Sequence, residues 1–364
     1  MMNLNDEQKK VQNAMNHALS GLKEDPWLAQ RVLANARGEE PMGKKVSGAF
    51  VVLCVLLILT MATAVAAGVL YLGRGLDAEL QITEEIREVY QETELFNAPD
   101  LSVTQNGITV KVDECIVDEQ AAYLAFRVTG FQPEPGQEPT FANTECMIDE
   151  ERFSWCAKFS NGLVTSPDGR GVYPDGSVPE DYSKLSYLDE NGELVYIISL
   201  WSDDFSLIGR TIRVELTDLG VDTGKWGDMD TAVEGDWTFE WELKGSAKAL
   251  DVNGLNVPIG KTGSTFTSVH LSPIHVQMTM NVPRNPNAQE EDDTLEPYFY
   301  GIQLKDGTRY MAVSEGGSMG YVSADSEEFH QLSMLNRIIE PAQVESILFV
   351  SPLDDSGALE VKLQ

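Results

Sequence analysis

Trp237-Thr238-Phe239-Glu240-Trp241-Glu242-Leu243 alternates without a break between large apolar and polar side chains. A period of two puts every apolar side chain on one face of an extended strand, so this segment is expected as a half-buried strand. The same period recurs upstream. Leu101 and Val103, then Ile108, Val110 and Val112, flank Gln105-Asn106-Gly107. Asn-Gly between alternating runs predicts a hairpin, because both central turn positions need positive φ. Further strands are expected at 122–128, Leu194–Trp201 and 211–216. Beyond Gly245 they are expected at Thr265–Leu271, 276–282, Tyr298–Leu304, 309–313, from Ser346 onward, and at 359–363, with a hairpin turn at Lys305-Asp306-Gly307-Thr308. Many short strands at this spacing predict an all-β region of two antiparallel sandwiches in tandem, over 99–245 and 246–364. The stretch 131–190 is dense in Pro, Gly and Asp, with turns at Pro167-Asp168-Gly169 and Pro174-Asp175-Gly176. It reads as a long insertion in the first sandwich. Pro283 to Pro297 is polar and acidic and reads as an exposed loop.

The N-terminal quarter has a different character. Residues 46–73 form a run of 28 uncharged residues between Lys44-Lys45 and Arg74. About 20 apolar residues suffice for a helix to cross a bilayer, so 46–73 is expected as a single transmembrane helix. A cleaved signal peptide has a shorter apolar core of about 7–15 residues near the N-terminus, which this run does not match. Residues 1–45 hold seven basic side chains, whereas a long acidic stretch follows Arg74. The positive-inside rule then puts residues 1–45 in the cytoplasm and the C-terminal domains outside the cell membrane. Residues 74–98 are charged, with Leu80, Ile86 and Tyr90 as sparse apolar positions. They read as a juxtamembrane stalk helix.

Within residues 1–45, Val11, Met15, Leu19 and Leu22 fall on one apolar stripe of a helix. Asp25-Pro26 announces a second helix, since Asp is a good N-cap and Pro suits the first helical position. That helix runs through Trp27, Leu28 and Val32 toward Gly38. So short a segment is near the lower limit for an independent core. The two stripes can pack on each other, lie on the membrane, or dock in a partner's groove. The residues expected to bind a partner are Val11, Met15, Leu19, Leu22, Trp27, Leu28 and Val32.

The chain has 26 basic and 58 acidic residues, and the part beyond residue 45 carries a net charge of −33. Such a surface repels phosphate backbones, so a direct nucleic-acid partner is not expected. Of four cysteines, Cys54 lies inside the apolar run and Cys115 stands alone. Cys146 and Cys156 are close in sequence, and a hairpin between them would allow a disulfide outside the cytoplasm. No H-E-x-x-H, G-x-S-x-G, Walker-type or G-x-G-x-x-G pattern occurs. His270 and His275 flank Ser272-Pro273 without metal-ligand spacing. Gly316-Gly317-Ser318-Met319-Gly320 reads as a loop. The acidic turns 189–193 and 290–293 lack the ligand spacing of a calcium loop. The expectation is a protein that is not an enzyme and holds no cofactor or metal.

Several segments carry a resemblance. Before the apolar run these are Ala18-Leu19-Ser20-Gly21-Leu22 and Asp25-Pro26-Trp27-Leu28-Ala29-Gln30-Arg31-Val32-Leu33-Ala34. After it come Thr104-Gln105-Asn106-Gly107-Ile108-Thr109-Val110, Gly235-Asp236-Trp237-Thr238-Phe239, Val269-His270-Leu271-Ser272-Pro273-Ile274 and Leu304-Lys305-Asp306-Gly307-Thr308. The chain resembles a family of uncharacterised single-pass bacterial membrane proteins with immunoglobulin-like ectodomains, described as anti-sigma-factor-like. The insertion at 131–190 is longer than that pattern. The resemblance implies immunoglobulin-like sandwiches, a cytoplasmic sigma factor as partner of residues 1–45, and an ectodomain that senses an unidentified extracytoplasmic ligand. It supplies no catalytic residue. The alternative is a surface adhesion or binding module for which the N-terminal helix is only an anchor; no L-P-x-T-G sorting signal is present.

Overall fold

The computed structural model describes residues 75–90, 93–153, 155–166, 169–225, 228–284, 296–351 and 353–363. The expected cytoplasmic helices, the 46–73 span, the seven expected partner-binding residues and the 290–293 turn lie outside these. Among the described residues no helix is long and apolar enough to cross a membrane.

The described chain is mostly β. In the first domain one sheet holds six strands: β1 (Phe96–Asn97), β2 (Ser102–Gln105), β3 (Ile108–Val117), β4 (Ala121–Thr129), β7 (Trp155–Phe159) and β10 (Leu194–Trp201). Its order is β1-β3-β4-β10-β7, with β2 also on β3. The other sheet has order β12-β11-β5-β6, from β5 (Pro139–Ile148), β6 (Glu151–Arg152), β11 (Thr211–Asp222) and β12 (Met229–Glu242). β8 (Val164–Thr165) and β9 (Gly171–Val172) pair by themselves. The quoted alternation sits in β12: Trp237 and Phe239 are buried, Thr238 and Glu240 exposed. Their rings join Phe126, Leu124 and Ile198 from the six-stranded sheet in one apolar core. The Asn106-Gly107 turn joins β2 to β3 with φ of 49° and 86°, the positive pair that such a two-residue hairpin demands.

The second domain repeats the two-sheet plan, without a counterpart of the β8–β9 pair. Its strands are β13 (Leu250–Val252), β14 (Val257–Pro258), β15 (Thr265–Leu271), β16 (His275–Asn281), β17 (Tyr298–Leu304), β18 (Arg309–Met311), β19 (Ser314–Tyr321), β20 (Glu328–Leu335), β21 (Val344–Ser351) and β22 (Asp354–Lys362). Their orders are β13-β15-β16-β20-β19, with β14 on β15, and β18-β17-β21-β22. Thus β15 and β16 stand where β3 and β4 do, β19 and β20 where β7 and β10 do, and β21 and β22 where β11 and β12 do. Phe266, Val269, Met278 and Met280 from one sheet meet Phe299, Ile347 and Phe349 from the other.

Three expectations are corrected. Residues 131–190 are not one insertion: β5 is an interior strand paired with β11 over nine positions, and β7 is the edge strand on β10. The true excursion is 160–193. Gly316–Gly320 is not a loop but part of β19, paired with β20. Gly317 is needed there, since its φ is 143° and a Cβ would stand 1.9 Å from the Leu332 carbonyl oxygen. Residues 74–98 are not a free-standing stalk helix. Among the described residues the α-helix α1 spans only Glu84–Tyr90, started by Thr83, whose hydroxyl accepts from the Ile86 amide, and by Glu84 and Glu85 in the first turn. Leu76, Leu80, Tyr90 and Leu95 of this segment are buried, which a solvated stalk would not allow.

Candidate functional site: the seam between the two domains

What buries the connector (residues 75–98) is a third apolar cluster, separate from the two domain cores. It draws Leu76, Leu80, Ile82, Tyr90 and Leu95 from the connector, Ile116, Ala121, Tyr123, Ala125 and Ile197 from the first domain, and Ile274, Met334 and Ile338 from the second. The six-stranded sheet of the first domain therefore has two buried faces. In β4 the even positions Ala122, Leu124, Phe126 and Val128 face the domain core, and the odd positions Ala121, Tyr123 and Ala125 face the seam. In β3 a bulge between Val112 and Glu114 switches the parity, so Val110 and Val112 face inward while Glu114 and Ile116 face the connector.

Polar bonds close the seam. Tyr123 donates its hydroxyl hydrogen to the Leu335 carbonyl at 2.8 Å and Tyr90 to that of Ile339 at 3.0 Å. The Ile338 amide donates to the Leu80 carbonyl at 3.1 Å. One acceptor serves twice: the Thr165 carbonyl takes Gln81 Nε2 at 2.7 Å and Arg337 Nη2 at 2.8 Å. Arg337 is itself buried and lies over the Tyr310 ring. Burial holds its guanidinium below the usual arginine range.

At the centre, two equivalent turns meet. Asp118 follows β3, Ser272 lies in the β15–β16 turn and His275 opens β16; their exposures are 1%, 1% and 0%. Asp118 Oδ1 accepts the Gln120 and Ala121 amides, which shapes its own turn. Asp118 Oδ2 accepts His275 Nδ1 at 2.7 Å and also the Ser272 hydroxyl. Ser272 Oγ in turn accepts the His275 amide at 2.9 Å. Burial alone would raise the Asp118 carboxyl; the His275 ring and the hydrogen bonds outweigh it and hold the group below the usual carboxylate range. The trio resembles a Ser-His-Asp set only in composition. In a nucleophile–base arrangement serine and carboxylate occupy opposite ring nitrogens. Here both meet Nδ1, and Nε2 is buried without a hydrogen-bond partner. It is a latch between domains.

Two charged groups border the connector. Lys158 on β7 pairs with Glu79 at 2.5 Å and with Glu315 on β19 at 3.0 Å. Glu114 accepts Arg87 Nη1 at 2.9 Å and the Leu76 amide at 3.2 Å. Burial raises both carboxyls, Glu114 to about 7.

The other sites read from sequence fall elsewhere. Cys146 and Cys156 are not bridged: Cys146 faces the domain core from β5, while Cys156 is exposed on β7 in the other sheet. The residues between them form a hairpin over β5 and β6 only, and the chain then crosses to the opposite sheet. Burial pushes the Cys146 thiol up to about 12 and Cys115 higher still. In the native chain Cys156 is therefore expected to label rapidly with a thiol reagent, and Cys115 and Cys146 only on unfolding. Peptide mapping without reduction would overturn this by recovering a Cys146–Cys156 cross-link. The 189–193 turn is occupied by Arg127, which pairs with Asp189 and Glu193 as well as Asp113. No metal-binding cluster of His, Cys, Asp or Glu occurs among the described residues. β19 borders a cleft of ≈ 560 Å³ lined by Tyr298, Tyr300, Gln331, Ser333 and Met319.

These features describe a mostly β chain of two topologically equivalent domains with a built-in connector. The family described as "Domain of unknown function (DUF4179)" matches residues 42–130. That stretch takes in the apolar run, the connector, and β1 to β4. No curated protein matches the chain. A similar solved structure is described as the crystal structure of the conserved domain protein from Bacillus anthracis. It has a TM-score of 0.45 and 13% identity, over 74% of this chain and 84% of that one.

Proposed function

We propose that the chain is a single-pass membrane regulator of the anti-sigma-factor type. Residues 1–45 bind a cytoplasmic sigma factor, 46–73 cross the bilayer, and two immunoglobulin-like sandwiches lie outside. The observation that carries this reading is the seating of residues 75–98. A tether needs no contact with the domain it holds, yet this one contributes Leu76, Leu80, Tyr90 and Leu95 to the joint between both domains. Burying each apolar side chain stabilises by roughly 2 kcal/mol. Any ligand or condition that alters the joint thereby alters the segment that continues into the apolar run. The 42–130 family match supports the same unit, since it joins the run to the strands that the connector packs against. The test is co-purification of the full chain and of a chain lacking 1–45, with transcript profiling of both strains. The proposal expects a sigma factor with the full chain alone and a changed regulon on deletion. No sigma factor in either preparation and an unchanged regulon would end it.

A surface binding module is the second reading. The ≈ 560 Å³ cleft, with its exposed Tyr298 and Met319, favours it. That reading assigns residues 1–45 no partner.

A further inference from the structure

We propose that the connector is a proton-sensitive dock: Glu79 and Glu114, buried at its two polar borders, hold residues 75–98 in the seam more firmly when protonated than when ionised. The inference deepens the regulator reading, on which it rests, by naming protons as a stimulus that the joint can read.

The geometry makes the case. Glu79 belongs to the connector, Lys158 to the first domain and Glu315 to the second. Two carboxylates share one ammonium in this trio, so one negative charge is left over. Glu79 is 7% exposed and cannot discharge that excess into water. Among the described residues Tyr123 also lies close to it, and Cys156 lines the cleft shared by Tyr123, Lys158 and Glu315; neither is cationic. On the opposite border Glu114 sits on β3 with 1% exposure, facing Arg87 of α1 and Asp77 of the connector. Its strand neighbours are Asp113, which Arg127 engages, and Cys115. Among the described residues Arg87 meets both Glu114 and Asp77, while the Leu76 amide supplies a neutral bond to Glu114.

The sign follows from the direction of the shifts. Burial is the largest cause and raises both groups above the ordinary carboxyl value of 4.5; Glu315 raises Glu79 further, and Asp77 raises Glu114. A carboxyl raised in the docked state stabilises docking fully below its undocked value, and that stabilisation is lost as pH rises through the docked value. For Glu114 the window runs from about 4.5 to about 7. Acid tightens the connector; neutral to alkaline pH loosens it. Linkage for Glu114 alone gives roughly a 30-fold change in the undocking equilibrium between about pH 5.5 and pH 8.

Hydrogen exchange of the full chain in bilayer discs tests this, with times scaled to the intrinsic rate at each pH. Residues 211–216 and 344–351, in the sheets remote from the seam, serve as references. The expected result is that protection of 75–98 falls about 10- to 30-fold between pH 5.5 and 8 while the references hold within about twofold. Glu114→Gln should remove most of that slope. In the Glu114→Gln background, Glu315→Gln should move the remaining slope to lower pH, because Glu79 then has Lys158 to itself. Equal pH dependence of 75–98 and the references overturns the proposal, as does a full slope in Glu79→Gln/Glu114→Gln. Should Glu114→Gln leave 75–98 unprotected at every pH, single Glu79→Gln and Glu315→Gln decide, and an unchanged slope in both overturns it. A failed slope with sigma-factor co-purification intact removes only the stimulus; the reverse removes only the regulator reading.

Discussion

Asp118→Ala is expected to destabilise the chain by about 3–5 kcal/mol, because several buried donors lose their acceptor at once. Three losses coincide. The Gln120 and Ala121 amides lose the acceptor that shapes the β3–β4 turn, the Ser272 hydroxyl loses its acceptor, and His275 Nδ1 loses its carboxylate in a fully buried site. Because the pair bridges the domains, the consequence goes beyond a lower melting temperature. Calorimetry should resolve two transitions where the native chain gives one, as each domain keeps its own core. Asp118→Asn should cost less, since the amide oxygen can still cap the turn. A double-mutant cycle with His275→Phe should return a coupling of roughly 1–3 kcal/mol. The pH dependence has the opposite sign to that of the connector carboxyls. Asp118 is held below the usual range, so its contribution is present above its unfolded value and lost as pH falls through the lower folded value. Once the pH has fallen below that lower folded value, the variant and the native chain should therefore converge. A single unshifted transition in Asp118→Ala would show that the latch holds nothing.

How much of this was legible in the sequence depended on which face of a strand was being read. Strands with one wet face announce themselves, and Trp237–Glu242 did so through Thr238, Glu240 and Glu242. Leu194–Trp201 and Tyr298–Leu304 are strands with the expected bounds. The seam stayed hidden because its strands have no wet face. Val195-Tyr196-Ile197-Ile198-Ser199-Leu200-Trp201 is nearly continuous in apolar residues, and such a run signals burial on both sides. That run carried the information that a second layer had to cover β10. The connector misled for the converse reason. Glu79, Glu84, Glu85, Glu88, Glu92 and Glu94 suggest a solvated helix, yet Leu76 and Leu80 sit one turn apart and both are buried. β19 was missed because Gly316, Gly317 and Gly320 carry no alternation at all. The Asp118–Ser272–His275 latch could not be found by spacing, since its members come from turns 154 and 157 residues apart. The bulge at Asp113 is likewise a three-dimensional fact that reverses the inward parity of β3.

Leu80→Asp is expected to eject the connector while leaving both domains folded. Leu80 is fully buried in the seam cluster, and its carbonyl accepts the Ile338 amide. An aspartate there would lie within an apolar cluster, and burying a carboxylate costs several kcal/mol. That cost is comparable with everything that apolar burial of Leu76, Leu80, Tyr90 and Leu95 contributes, at roughly 2 kcal/mol each. Leaving the seam is thus the cheaper outcome. Neither domain core includes a residue of 75–98, so the cores do not depend on the dock. In the full chain, exchange protection over 75–95 should vanish and a protease should cut there, while 211–216 and 344–351 keep their native protection. Ejection also uncovers Tyr123, Ala125 and Ile197, so binding of a hydrophobic dye should rise. Unchanged protection of 75–95 would refute the account of the seam itself. The same variant then separates the two functional readings. If the connector transmits the state of the joint, cells with Leu80→Asp at normal surface level should show a fixed transcriptional output that no longer follows the environment. If the ectodomain only binds at the surface, its ligand cleft on β19 stays intact and the output has no reason to change.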